Sequence, residues 1–405
     1  MRTCLLHFSP PSLTDAEIGE VVDALQSDWI TTGPKTRQFE GEFAGFVGSS
    51  GALALSSGTA ALHLTLATLG LGPGDAVIST PMTFCSSIHV IEHVGARPVL
   101  VDVEPDTLNI DPAKIAEAIE ERARGTGHGA EQHGRVRAIL PVHLYGHPCA
   151  MDSVLDIAER HRLAVIEDAA HALPARFHGR MVGSAGDAGS PVPRLTAFSF
   201  YATKNLTTAE GGMLTGPPDL LDEARIWSLH GMSRDAWKRY SAEGSWFYEV
   251  IRPGFKYNLT DIQAAIGLQQ LRRLPEMHRR RRWIFEQYDR AFRDQETLTI
   301  PTIRPGVDHA YHLYVLRLNL PTLTIDRARF IEEMRRRNIG TSVHFIPVHL
   351  HPYYRDKYGY RPDDFPVSYR EYQRIVSLPV YPRMTDADVG DVIDAVLETV
   401  KAFRR

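Results

Sequence analysis

At 405 residues, 43% of them apolar and 23% charged, the chain has room for a large domain with a smaller companion and the make-up of a globular protein. A net charge of -4 gives no electrostatic basis for binding nucleic acid or an anionic membrane, and no apolar stretch approaches the ~20 residues that cross a bilayer. Cys4, Cys85 and Cys149 are odd in number and widely spaced, which argues against a disulfide framework and a zinc site, and the N-terminal MRTCLLHFSPPSLTD makes a poor signal peptide, so a cytoplasmic protein is expected.

Thr14 and Glu17 form a capping box ahead of Ile18, Val21, Val22 and Leu25 at helical spacing, which predicts a first helix ending near Ser27. From Leu53 to about Arg194, β-rich runs alternate with helical ones. ALALS precedes AALHLTLATLGL, DAVIST precedes a segment through Val90, and RPVLVDV precedes PAKIAEAIEERA; VRAILPVHLYG, MDSVLDIAERHR and LAVIEDAA follow. This alternation predicts an α/β fold with a mainly parallel sheet covered by helices on both faces. LAVIED and TAFSFYA, apolar nearly throughout, read as its central strands. The Gly-, Pro- and polar-rich stretches 124–134 and 183–194 read as surface loops. Thr260 and Gln263 form a further capping box, after which helices mix with β-rich runs such as HLYVLRLNL and GTSVHFIPV. The expected division is a large domain over 1–255, N-terminal helix included, and a smaller α+β domain over 256–405. The basic run Arg279 to Arg282 reads as the solvated face of a helix.

Three segments carry possible chemistry. In SSGTAAL, Ser56, Ser57, Gly58 and Thr59 link a strand to a helix; the free N–H groups there suit a phosphate, although a plain helix cap has the same residues. VIEDAAHA ends a buried strand with Glu167 and Asp168, with His171 three residues beyond, at the end of an α/β sheet where ligands collect; Asp168 as a simple helix cap is the bland alternative. FSFYATKNLTTAEGGML places Lys204 just past an apolar strand, where desolvation favours the neutral amine that forms a Schiff base; a lysine whose stem lies along the sheet edge while its head reaches water is the plain alternative. Together, a phosphate cup, an acid and a reactive lysine meet the needs of pyridoxal phosphate (PLP).

WITTGPKTRQFE, SSGTAAL, PMTFCSS, VIEDAAHA, FSFYATKNLTTAEGG, GFKYNLTDIQAAIGL, VHFIPVHLHPYY and SLPVYPRMT, in this order, resemble the DegT-type (DegT/StrS) nucleotide-sugar aminotransferases over nearly the whole chain. Within that family the segments are most similar to the UDP-4-amino-4-deoxy-L-arabinose aminotransferase-like members. The resemblance implies an aspartate-aminotransferase-like fold (PLP fold type I) and a homodimer with shared active sites. It implies that Lys204 forms the internal aldimine and moves protons, that Asp168 holds the pyridine nitrogen protonated, and that Gly58, Thr59 and Ser199 bind the phosphate. Phe84 would stack on the ring and His171 would lie near its hydroxyl. Thr31, Thr32 and Gly33 stand where family members contact the sugar nucleotide, and His344 resembles a substrate-side residue. Lys256 and Asn258 occupy the Asn and Arg positions of the commoner G-x-N-x-R pattern, the segment that reaches the other subunit's phosphate.

The implied reaction takes an amino group from glutamate and gives it to the keto sugar of a nucleotide-sugar, with a UDP-4-keto sugar as the expected acceptor. A cyclitol or amino-shikimate type aminotransferase fits the same motifs, and a non-catalytic PLP-binding regulator is the reading from another class. A sugar dehydratase of the same fold carries histidine where this chain keeps Lys204.

Overall fold

The computed structural model describes residues 2–126, 134–185, 192–233 and 247–405; most of the predicted loop at 124–134 and half of that at 183–194 lie outside the described residues. Helix α1 (Asp15–Gln26) starts at the Thr14 capping box, with Glu17 accepting from the Thr14 amide at 2.8 Å, and ends at Ser27. Helix α2 (Pro34–Val47) has a proline in its first turn, and its N-terminal amides are met from far along the chain. The Asp261 carboxylate accepts from the N–H groups of Gly33 (2.7 Å), Thr36 (2.9 Å) and Lys35 (3.1 Å).

The predicted alternation then runs through β1 (Ala52–Leu55), α3 (Gly58–Thr68), β2 (Asp75–Ser79), α4 (Ser86–His93), β3 (Arg97–Leu100), α5 (Pro112–Ala123), β4 (Arg135–Ile139), α6 (Met151–His161) and β5 (Ala164–Asp168). After the short strands β6 (Arg176–Phe177) and β7 (Arg180–Met181) come β8 (Arg194–Ser199), β9 (Gly212–Thr215) and α7 (Pro218–Ser228). Seven strands form one sheet in the order β1-β9-β8-β5-β4-β2-β3. Only β9 runs against its neighbours; the other six strands point the same way. Their C-terminal ends therefore share one edge, where the connecting loops converge. Every residue of β5 is buried, the terminal acids Glu167 and Asp168 included, in keeping with a central strand.

Helix α8 (Asp261–Phe292) opens on the Thr260–Gln263 capping box. Its first half packs with Phe39, Phe43, Phe198 and Phe200, and its second half contributes Ile284, Phe285, Tyr288 and Phe292 to a separate core. That core lies on the antiparallel sheet β10-β12-β13, built from β10 (Leu298–Thr299), β12 (Tyr314–Leu318) and β13 (Ile375–Leu378). Strand β11 (Val307–Asp308) pairs with β6 instead. Helices α9 (Arg327–Arg336), α10 (Pro352–Tyr358), α11 (Pro366–Tyr372) and α12 (Asp386–Ala402) complete the chain. The N-terminus joins this layer: Leu6 is in its core, donating to Asn338 O at 2.8 Å and accepting from Gly340 N at 2.9 Å.

Two expectations are corrected. GTSVHFIPV is not a strand; only Ser342 makes an isolated bridge, to Ser377, because the residues after it turn away to wall the cavity described below. Arg281 is not on a solvated face. It is 3% exposed, falls on the stripe with Met277, Ile284 and Tyr288, and donates to the carbonyls of Val380 (2.8 Å) and His312 (3.3 Å). Burial lowers its pKa to about 9.

Contact between α8 and α2 is close enough to require glycine: a Cβ on Gly267 would lie 2.6 Å from Cζ of Phe39. Gly267→Ala is expected to cost about 1–3 kcal/mol through overpacking, read as a lower denaturant midpoint. Gly19→Ala, in α1 with nothing within 4 Å of the new Cβ, is expected to leave the midpoint unchanged or raise it slightly.

Candidate active site

The shared strand edge opens on a cavity of about 440 Å³. Ser57, Gly58 and Thr59 reach it from the end of β1, Thr83 and Phe84 from β2, Asp168 and His171 from β5, and Ser199, Tyr201 and Lys204 from β8. Phe8, His312, His344 and Phe345 close the opposite wall. Eight of the predicted site residues thus meet in one space: Gly58, Thr59, Phe84, Asp168, His171, Ser199, Lys204 and His344.

The turn after β1 presents backbone amides to the cavity in an arrangement suited to an anion. Ser57 caps α3, its Oγ accepting from the Ala60 amide at 3.0 Å, which leaves the Gly58 and Thr59 amides without acceptors inside the helix. Gly58 is required here because a Cβ would lie 2.9 Å from Cβ of Ser199 and 3.2 Å from O of Phe198. The backbone of Gly212 is equally close, since a Cβ there would meet the Ser57 carbonyl at 2.5 Å.

At the end of β5 the two acids point to opposite faces, as successive strand residues must. Glu167 is fully buried and accepts from Arg194 Nε (2.5 Å), His143 Nε2 (2.8 Å) and Thr196 Oγ1 (2.9 Å). Burial pushes its pKa up, but Arg194 and His143 outweigh it and hold the carboxyl well below the usual range. Asp168 lines the cavity; its Oδ2 accepts from Ser87 Oγ at 2.7 Å and its Oδ1 from the Ala170 amide at 3.0 Å. No helix follows β5, so Asp168 closes a turn rather than capping a helix, and His171 stands in that turn.

Lys204 sits in the turn after β8, its amide donating to Tyr201 O at 2.9 Å. Burial lowers its amine from 10.5 to about 8, against the opposing pull of the Asp168 carboxylate. At pH 7 about one amine in ten is then neutral and nucleophilic, against roughly one in three thousand at the ordinary value. The Tyr145 amide donates to Nδ1 of His171 at 3.3 Å, which places the proton of the neutral ring on Nε2. His171 lies 4.5 Å from the His312 ring and stacks on Phe345 at 5.7 Å. Burial, Lys204 and His344 together push its pKa well below the histidine range. Burial and Lys204 likewise lower His344 to about 4; its Nδ1 lies 2.8 Å from Ser377 Oγ and its ring stacks on Phe8.

Five predicted residues lie elsewhere. Thr31, Thr32, Gly33, Lys256 and Asn258 form their own cluster at the start of α2 and α8 and do not line the cavity of this chain. Asn258 Nδ2 donates to Thr32 Oγ1 at 2.7 Å, Lys256 Nζ donates to Asn258 Oδ1, and the Asp261 amide donates to Thr31 O at 3.0 Å. Conversely, Ser87, Tyr145, His312 and Phe345 were not singled out in the sequence. Ser87 had a local signal, one helical turn beyond Phe84; the others are brought in by long-range packing. Among the described residues no group of His, Cys, Asp and Glu could hold a metal ion, and no helix is long and apolar enough to cross a membrane.

The donor set fits PLP: a glycine-lined amide cup for the phosphate, a carboxylate for the ring nitrogen, and a lysine with a depressed pKa for the aldehyde. Fold and site define a PLP-dependent enzyme of fold type I. Residues 11–397 match the DegT/DnrJ/EryC1/StrS aminotransferase family, and the chain belongs to that family. It is 48% identical to the spore coat polysaccharide biosynthesis protein SpsC of Bacillus subtilis over 402 residues, covering 99% of this chain and 98% of SpsC. Spr1654 of Streptococcus pneumoniae in its PLP form superposes with a TM-score of 0.87 at 33% identity over 98% of this chain and 99% of the other. Its PMP form gives 0.88 at 34%. PseC of Helicobacter pylori, an aminotransferase involved in pseudoaminic acid biosynthesis, gives 0.86 at 25% identity over 98% of this chain and 100% of PseC. The protein is a PLP-dependent aminotransferase.

Because the Lys204 amine titrates lower folded than unfolded, the unfolded chain binds more protons between pH 8 and 10.5, and stability gains with pH across that window. Lys204→Met is therefore expected to stabilise the cofactor-free protein at pH 7 by on the order of 1–3 kcal/mol, the gain fading towards pH 10.5. Chemical denaturation at both pH values checks this; a gain independent of pH contradicts it.

Proposed function

We propose that the enzyme transfers an amino group from glutamate to the keto sugar of a nucleotide-sugar, a UDP-4-keto sugar, in cytoplasmic amino-sugar biosynthesis. The observation that carries this reading is the convergence of Lys204, Asp168 and the Gly58–Thr59 cup on one cavity. The polysaccharide biosynthesis protein SpsC and Spr1654, described as a sugar aminotransferase, support a sugar acceptor. The choice of UDP and of C4 rests on the WITTGPK and GFKYN segments.

When bound, the cofactor supplies an electron sink for a carbanion at the amino carbon. In this reading Gly58, Thr59 and Ser199 hold the phosphate, Phe84 covers one face of the ring, and Asp168 keeps its nitrogen protonated. His171 offers its Nε2 proton to the ring hydroxyl. Lys204 takes the proton from the amino carbon and returns it on the other side of the exchange, the role for which its neutral amine is suited. In this reading residues 1–255 form the cofactor domain apart from the segment around Leu6, which packs with the second layer, and the domain over 256–405, apart from the first half of α8, supplies the substrate-side wall with His312, His344 and Phe345.

The cluster of Thr31, Thr32, Gly33, Lys256 and Asn258 enters this scheme through a second copy. A homodimer brings the Lys256 and Asn258 segment to the neighbouring phosphate cup and the threonines to the neighbouring sugar nucleotide. Trp29, Ile30, Val250 and Ile251, exposed apolar residues flanking those two segments, are suited to burial in such an interface.

The test is release of 2-oxoglutarate from glutamate with a panel of UDP-, dTDP- and GDP-linked keto sugars and a keto cyclitol. Turnover is expected with a UDP-4-keto sugar and to fall by at least about 10²–10⁴-fold in Lys204→Ala. Turnover confined to the cyclitol, or none with any acceptor, contradicts the proposal.

A further inference from the structure

Asp168 does not stand alone in the cavity wall. Its Oδ2 accepts the Ser87 hydroxyl proton at 2.7 Å, and Ser87 Oγ lies 2.8 Å from Thr83 Oγ1. A serine hydroxyl has one proton to give. The short contact to a carboxylate outweighs the 3.3 Å contact from the same oxygen to Phe84 O, so the proton goes to Asp168 and Thr83 becomes the donor to Ser87. Both hydroxyls are out of water, Ser87 at 0% exposure and Thr83 at 2%. The relay therefore runs one way, Thr83 to Ser87 to Asp168, inside the turn that also presents Phe84 to the cavity.

We propose that Ser87, supported by Thr83, is a positioning residue that fixes the Asp168 carboxylate and stabilises its negative charge, and so sets how firmly the cofactor's ring nitrogen keeps its proton. The inference rests on the assignment of Asp168 to that nitrogen in the proposed function. The physical step is a balance between two forms of one shared proton. With the hydroxyl donated to the carboxylate, the charged pair of pyridinium and carboxylate is favoured; without it, the proton moves from nitrogen to oxygen and the ring is a weaker electron sink. Ser87 is absent from the cavity lining, so it would act through Asp168. One turn of chain, Thr83 to Ser87, thus carries a ring-facing side chain and the support of the acid beneath it.

The experiment loads the protein with PLP labelled with ¹⁵N in the ring and reads the nitrogen resonance. The wild type is expected in the pyridinium range. Ser87→Ala is expected to move the resonance towards unprotonated pyridine and to weaken PLP retention about tenfold, the scale of one lost charge-assisted hydrogen bond. Thr83→Val, nearly isosteric, is expected to shift it less in the same direction, and Thr83→Ser, which keeps the hydroxyl, to leave it in place. Resonances of Ser87→Ala and Thr83→Val unchanged from the wild type overturn the proposal, and Thr83→Val alone decides it if Ser87→Ala does not fold. A wild type that takes up no labelled PLP overturns the functional reading on which the proposal rests.

Discussion

The desolvation of one amine is the constraint around which the rest is arranged. Lys204 can offer a neutral nitrogen near neutral pH only because the cavity takes it out of water, and it can stay there only because Asp168 partly offsets the cost of its charge. Both residues come from the ends of adjacent parallel strands, β5 and β8, so the sheet sets their relation before any side chain is chosen. The anion cup follows from the same sheet, since β1 points the same way although it pairs through the antiparallel β9.

The division between structural and chemical groups is drawn at single-residue spacing. Glu167 spends its charge on Arg194, His143 and Thr196 behind the sheet, while Asp168, one residue on, faces the cavity with a hydroxyl and an amide for support. A buried carboxylate satisfied by several donors anchors the strand end and so limits the freedom of its neighbour. His171, beside the strand ends, and His312 and His344, on the opposite wall, are held neutral by burial and add hydrogen-bonding capacity without adding positive charge beside the lysine.

Much of this was legible in the sequence because it is local. SSGTAAL, VIEDAAHA and the segment around Lys204 are strand-end motifs whose chemistry depends on a few adjacent residues, and the β/α alternation gave the sheet that gathers them. What escaped is long-range or a matter of facing. His312 and Phe345 reach the cavity only through the packing of a layer more than a hundred residues downstream of Lys204. GTSVHFIPV has the composition of a strand but is taken up by the cavity wall. Arg281 hid in a basic run although its spacing from Met277 and Ile284 placed it on the buried stripe. Thr31–Gly33 and Lys256–Asn258 gathered with one another, through Asp261 and the start of α2, and not with Lys204 in the same chain.

The most direct measurement is reduction of the PLP-loaded protein with borohydride followed by peptide mapping. The cofactor's mass is expected on the peptide containing Lys204 and is expected to be lost from that peptide in Lys204→Ala. A label on another lysine, or a loaded protein with no reducible link, would contradict it.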